Sequence, residues 1–101
     1  METRLRLALL DAGLPEPELQ IRLDPGAWVS PSCDLGYRWA RLGIQYDGAH
    51  HRNAEQLTRD NRRDLAFTAA GWEYLKFDAS DGRDGFRRAA ALVRRALAAA
   101  A

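Results

Sequence analysis

Apolar positions first repeat with helical spacing between Glu2 and Ala12, where Leu5, Ala8, Leu9 and Ala12 recur every three to four residues before Gly13 and Pro15 end the pattern. The spacing predicts a first helix with Glu2, Leu5 and Leu9 on one face. The pattern changes after Pro15-Glu16-Pro17. Three stretches of strand character follow, around Leu19–Leu23, Trp28–Tyr37 and Ala40–Asp47, separated by Pro25-Gly26 and by a turn near Arg38. In the third, period-two alternation turns Leu42, Ile44 and Tyr46 to one side and Gly43, Gln45 and Asp47 to the other. Helical spacing returns from Ala54 to Ala70, with Leu57, Leu65 and Ala69 as expected inner residues and Gly71 as the stop; Trp72–Phe77 then reads as a strand. From about Gly85 a last helix aligns Phe86, Ala89, Ala90, Val93 and Leu97 on one stripe, with arginines opposite.

The order α-β-β-β-α-β-α predicts an α/β domain: a four-stranded mixed β-sheet flanked by helices. At 101 residues the chain reads as one domain spanning residues 1–101. Trp28, Trp39, Trp72 and Phe77 are expected in the core rather than as platforms for bases. Cys33 has no second cysteine to pair with, which excludes an internal disulfide and points to a structural thiol in a reducing compartment. No apolar run is long enough to span a bilayer and no secretory signal is evident, so a cytoplasmic protein without a membrane partner is expected.

The net charge of +1 does not mark a nucleic-acid binder as a whole, and any such role must rest on local clusters. Lys76 is the sole lysine. Arginines gather at Arg52, Arg59, Arg62 and Arg63 and again at Arg87, Arg88, Arg94 and Arg95, either as phosphate forks or as solvated helix faces. Candidate chemistry concentrates between Asp34 and His51. Asp34 on one strand and Gln45 and Asp47 on the next offer the oxygen donors that a hard divalent cation prefers. The alternative is that both aspartates cap turns at strand ends. His50 and His51 follow in Gly48-Ala49-His50-His51, and zinc ligation there lacks the needed cysteines.

Asp34, the block Ile44-Gln45-Tyr46-Asp47-Gly48-Ala49-His50-His51, Asp60-Asn61-Arg62-Arg63-Asp64 and Gly71-Trp72-Glu73-Tyr74-Leu75-Lys76-Phe77 occur in an order that resembles the Vsr-like domain. That domain is related to very-short-patch repair endonucleases, in the PD-(D/E)xK superfamily. The resemblance also takes in the opening Glu2-Thr3-Arg4-Leu5-Arg6. It implies a restriction-endonuclease-like core and a metal site with Asp34 as first acidic ligand, Gln45 in the second position and Asp47 where lysine is common. Glu2 would be an accessory helix carboxylate. His51 would serve as proton donor or phosphate contact, with His50 a further option.

Two functional readings follow. One is a metal-dependent DNA endonuclease of repair or defence type, using Mg2+ or Mn2+, with Asp34, Gln45, Asp47, His51 and Glu2 as catalytic residues and Asp34, Asp47 and Gln45 as metal ligands. His50, Arg52, Arg59 and Arg63 would contact DNA. The other starts from Gln45, where an active nuclease usually carries glutamate. The loss of one negative charge weakens cation binding and suggests a catalytically impaired module that binds nucleic acid or a protein partner. Such a module would fit a regulatory, antitoxin-like protein of which this chain is the C-terminal domain. A homodimer is compatible with either.

Overall fold

The computed structural model describes residues 2–47 and 54–101, apart from the side chains of Glu2 and Gln56. His50, His51 and Arg52 lie outside the described residues, as does the Glu2 side chain. Four strands, β1 (Glu18–Arg22), β2 (Ser32–Tyr37), β3 (Leu42–Asp47) and β4 (Glu73–Asp78), form one mixed sheet in the order β1-β2-β3-β4. β1, β2 and β3 make an antiparallel meander, and β4 lies parallel to β3. That parallel pair requires a crossover, which helix α2 (Ala54–Ala69) supplies. Helices α1 (Glu2–Asp11), α3 (Ala79–Arg83) and α4 (Arg87–Ala100) complete the chain.

One sheet face packs against α1 and α4. Leu5 and Leu9 of α1, Leu35, Tyr37, Leu42, Ile44 and Phe77 of the sheet, and Phe86, Ala89, Val93 and Leu97 are all buried in this cluster. The stripe expected along the last helix is therefore the stripe that faces the core. Small residues at Ala89, Ala90 and Ala96 let the helix approach its neighbours closely. Arg94 donates to the Ala12 carbonyl at 2.6 Å and so caps the end of α1, giving one of the arginines a structural duty. Tyr37 donates to the Pro15 carbonyl at 2.7 Å, and burial pushes its phenol up to about 12.

The second face is smaller. Ile21, Cys33 and Phe67 are buried there, with Leu23, Trp72 and Tyr74 packed around them. Phe67 fastens α2 to the sheet: its ring stacks on Tyr74 with centroids 5.1 Å apart and meets Trp72 edge-on at 5.4 Å. Gly71 at φ +86° ends the helix and feeds β4. Gly36 is required by close approach, because a Cβ there would lie 2.5 Å from the Leu42 carbonyl oxygen and 2.8 Å from the Ile21 side chain.

Several expectations are corrected. The second strand begins at Ser32 rather than Trp28, and the third at Leu42, since Arg38–Ala40 forms a single 3-10 turn. Trp28 is 98% exposed and Trp39 60%, so neither belongs to the core; Trp72 is half-buried and Phe77 buried. In α2 the inner residue is Phe67, whereas Leu57, Leu65 and Ala69 face outward. Phe67 stands about 200° around the helix from Leu65 and from Ala69, so the side that meets the sheet is nearly opposite those two, while Leu57 lies about 80° to its flank. The short helix α3, unforeseen, precedes the last one. Asp78 caps it, accepting from the Ser80 and Asp81 N–H groups while Asp81 accepts from the Asp78 N–H.

Candidate functional site

The alternation of β2 breaks at Asp34. Cys33 packs with Phe67 on the α2 face, yet Leu35, two residues later, packs with α1 and α4 on the other. Regular pleating would put both side chains on one face. The Asp34 carboxylate instead accepts the Tyr46 N–H at 3.1 Å, so an acidic side chain takes the place of a backbone partner between β2 and β3. Gln20, opposite Asp34 in the β1–β2 register, adopts φ +52°. Both strands thus depart from regular geometry at this point, where a carboxylate is held against the backbone between Gln45 and Asp47.

β3 then presents its two polar side chains as the alternation requires. Leu42 and Ile44 are buried toward α1 and α4, while Gln45 and Asp47 open onto a cavity of about 50 Å³ on the α2 side, lined also by Asp60, Tyr74 and Lys76. Asp60 comes from α2. Lys76 comes from β4, whose parallel register sets it directly beside Gln45. Its ammonium pairs with Asp64 at 3.4 Å and lies 6.0 Å from the Tyr74 ring centroid. The Tyr74 hydroxyl donates to Gln45 Oε1 at 3.3 Å. Burial holds the Tyr74 phenol well above its ordinary range, against the opposing pull of Arg63, and therefore keeps it a proton donor. Burial also raises the Cys33 thiol, as expected for a structural cysteine.

The sequence-predicted residues thus separate into groups. Asp34, Gln45 and Asp47 lie at one end of the sheet. Arg63 sits inward beside Tyr74 and 4.0 Å from Asp60, while Arg59 shares a shallow hollow of about 380 Å³ with Ala54, Glu55, Thr58 and Arg62. Asp60, Tyr74 and Lys76 were missed as site residues. The lone lysine was the available signal for Lys76, but its position beside Gln45 follows from a parallel register that no local pattern encodes. Among the described residues, no group of three or more Asp, Glu, His or Cys side chains is placed to hold a metal ion. The set on offer is mixed, with carboxylate and amide oxygens together.

Two uncharacterized proteins from two strains of Mycobacterium tuberculosis are each 30% identical to this chain over 98 residues, or 96% of it. The chain spans 36% of the length of these curated relatives. No family model and no solved structure matches the chain. Among the described residues, no helix is long and apolar enough to cross a membrane.

Proposed function

We propose that this chain is a restriction-endonuclease-like module of the Vsr-like kind that hydrolyses DNA phosphodiester bonds with a bound divalent cation, in the cytoplasm. The observation that carries the reading is the seat of Asp34: its carboxylate meets the Tyr46 N–H, between the two β3 residues whose oxygen-bearing side chains open onto the Asp60–Lys76 cavity. The cavity's own oxygen donors, Gln45, Asp47 and Asp60, are of the kind that a hard ion such as Mg2+ or Mn2+ prefers, with the Asp34 carboxylate close by on the Tyr46 N–H. Gln45 Oε1 accepts one hydrogen bond from Tyr74 and retains a second lone pair for a cation. A cation bound there would stabilise charge on the phosphate and make water more acidic.

The chain's own residues have separable tasks on this reading. Tyr74 orients the Gln45 amide so that oxygen, rather than nitrogen, faces the donor hydrogen. Lys76 offsets negative charge in a cavity that also contains Asp47 and Asp60, and its ammonium is suited to a phosphate oxygen. Arg59 and Arg62 add positive charge on the outer side of α2. His50, His51, Arg52 and Glu2 keep the roles that the family resemblance implies for them.

The decisive measurement is nicking of supercoiled plasmid in Mg2+ or Mn2+ by the wild-type chain and by Asp34→Asn, which keeps an acceptor for Tyr46 while removing the charge. A loss of about 100-fold or more is expected, the scale seen when one electrostatic contact to a transition state is removed. Equal nicking by both, or nicking by neither, sinks the catalytic reading. A second reading is favoured by Gln45 and by the lack of a three-acid cluster among the described residues: a module that binds DNA without cutting it. Salt-sensitive gel shifts without cleavage would select it, because phosphate contacts release counterions.

A further inference from the structure

The turn between β1 and β2, residues 23–31, places Trp28 and Val29 almost wholly in solvent, at 98% and 80% exposure. An indole so displayed is unusual, because a tryptophan gains free energy from nearly any apolar cover. The turn is not a slack loop from which the ring could fold back. The Leu23 N–H donates to the Pro31 carbonyl at 2.8 Å, the Asp24 N–H to Ser30 Oγ at 2.8 Å, and the Ala27 N–H to the Asp24 carbonyl at 3.1 Å. Arg22 reaches over from β1 and donates to the Ala27 carbonyl at 2.7 Å. Pro25 and Pro31 restrict the backbone further. Trp28 is therefore presented on a pre-ordered support, which lowers the entropy lost when it meets a ligand.

The register places this turn at the functional end of the sheet. Arg22 pairs with Ser32 at the last rung of β1 and β2, so residues 23–31 project beyond it. Asp34 lies two residues along β2 from that rung and bonds to Tyr46 near the end of β3. Gln45 and Lys76 are adjacent across β3 and β4 at the same end. An exposed aromatic ring thus stands at the end that holds a small, charged, oxygen-lined cavity. Such surroundings suit a nucleic-acid strand better than the apolar centre of a protein interface, where charged residues are depleted. A phosphate can face the cavity while a base, which always offers a flat π surface, stacks on the indole.

We propose that Trp28 stacks on an unpaired base of the DNA strand whose phosphate faces the cavity of Gln45, Asp47 and Lys76; the choice of DNA as occupant rests on the function proposed above. The test uses a single-stranded oligonucleotide carrying 2-aminopurine, titrated in Ca2+, which supplies a hard divalent cation, with the wild-type chain, W28A and W28Y. Wild type should quench the 2-aminopurine fluorescence on binding. W28A should bind about 5- to 100-fold more weakly without quenching, and W28Y should retain most of both signals. The exposed position makes these variants fold as wild type does, which an unchanged thermal midpoint verifies.

Equal affinity and quenching by W28A would overturn the proposal, as would binding without quenching or the absence of oligonucleotide binding. Sedimentation equilibrium covers the case of a protein partner: a dimer abolished by W28A, with DNA binding unchanged, would assign the ring to self-association and overturn it too. The two proposals fail differently. Trp28-dependent quenching without plasmid nicking leaves stacking in place and removes catalysis, whereas nicking with Trp28-independent quenching does the reverse.

Discussion

The two faces of the sheet are built on different principles. Toward α1 and α4 the sheet and helices share a chiefly apolar interface in which Leu5, Leu9, Leu35, Ile44 and Val93 are wholly buried. Toward α2, among the described residues, the buried apolar side chains are Ile21, Cys33 and Phe67, and the rest of that face passes into Tyr74, Gln45, Lys76 and the acids of α2. The contrast shows how a small domain can keep a polar cavity on one side of a sheet. Most apolar burial is gathered on the other side, and a single aromatic anchor holds the crossover helix over the polar end.

Phe86→Ala should produce the largest stability change, about 3–5 kcal/mol, because it empties a buried position that packs edge-on against Tyr46 in the α1–α4 cluster. Chemical denaturation would measure it; a loss below about 1 kcal/mol would break the idea that stability resides chiefly on the α1–α4 face. Phe67→Ala should fall at or below the low end of that range, about 2–3 kcal/mol, since half-buried Trp72 and Tyr74 have room to close over the gap. Hydrogen exchange should rise first in α2 while α4 stays protected. Uniform exchange across both helices would show that the faces do not open separately.

The smallest effect tests neither core but the link between β4 and α3. Asp78→Ala removes the helix cap and should cost about 1 kcal/mol at neutral pH. Hydrogen bonds from Ser80 and Asp81 hold the Asp78 carboxyl below its ordinary value of 3.8. A lowered folded-state value means that this contribution is present above the unfolded value and is lost as pH falls through the folded one. The stability gap between wild type and variant should therefore narrow in strongly acidic solution. A constant gap down to pH values where Asp78 is protonated would show that its charge adds nothing to the cap.

How legible the molecule was in its sequence depended on whether the signal was local. The β3 alternation identified which residues share a face, because successive side chains of a strand point to opposite sides of the sheet. The α4 stripe was equally plain. In α2, by contrast, Leu57, Leu65 and Phe67 compete for the inner side, and only the aromatic rings of Trp72 and Tyr74 favour Phe67. The exposure of Trp28 was misread because a large aromatic side chain usually finds cover, whereas here hydrogen bonds within its own turn hold the backbone away from the sheet.

By itself the sequence determined the order of the four strands and the three longer helices, the stripe of the last helix and the placing of Gln45 with Asp47 on one side of β3. These follow from spacing along the chain, which pleat and helical pitch convert directly into direction. Only the tertiary structure decided that Asp34 would turn into the sheet to meet Tyr46, that Lys76 would lie beside Gln45, and that Trp28 would stand at the same end. Those neighbours come from strand registers and a crossover, and contacts between distant segments are fixed by the packing of the whole domain.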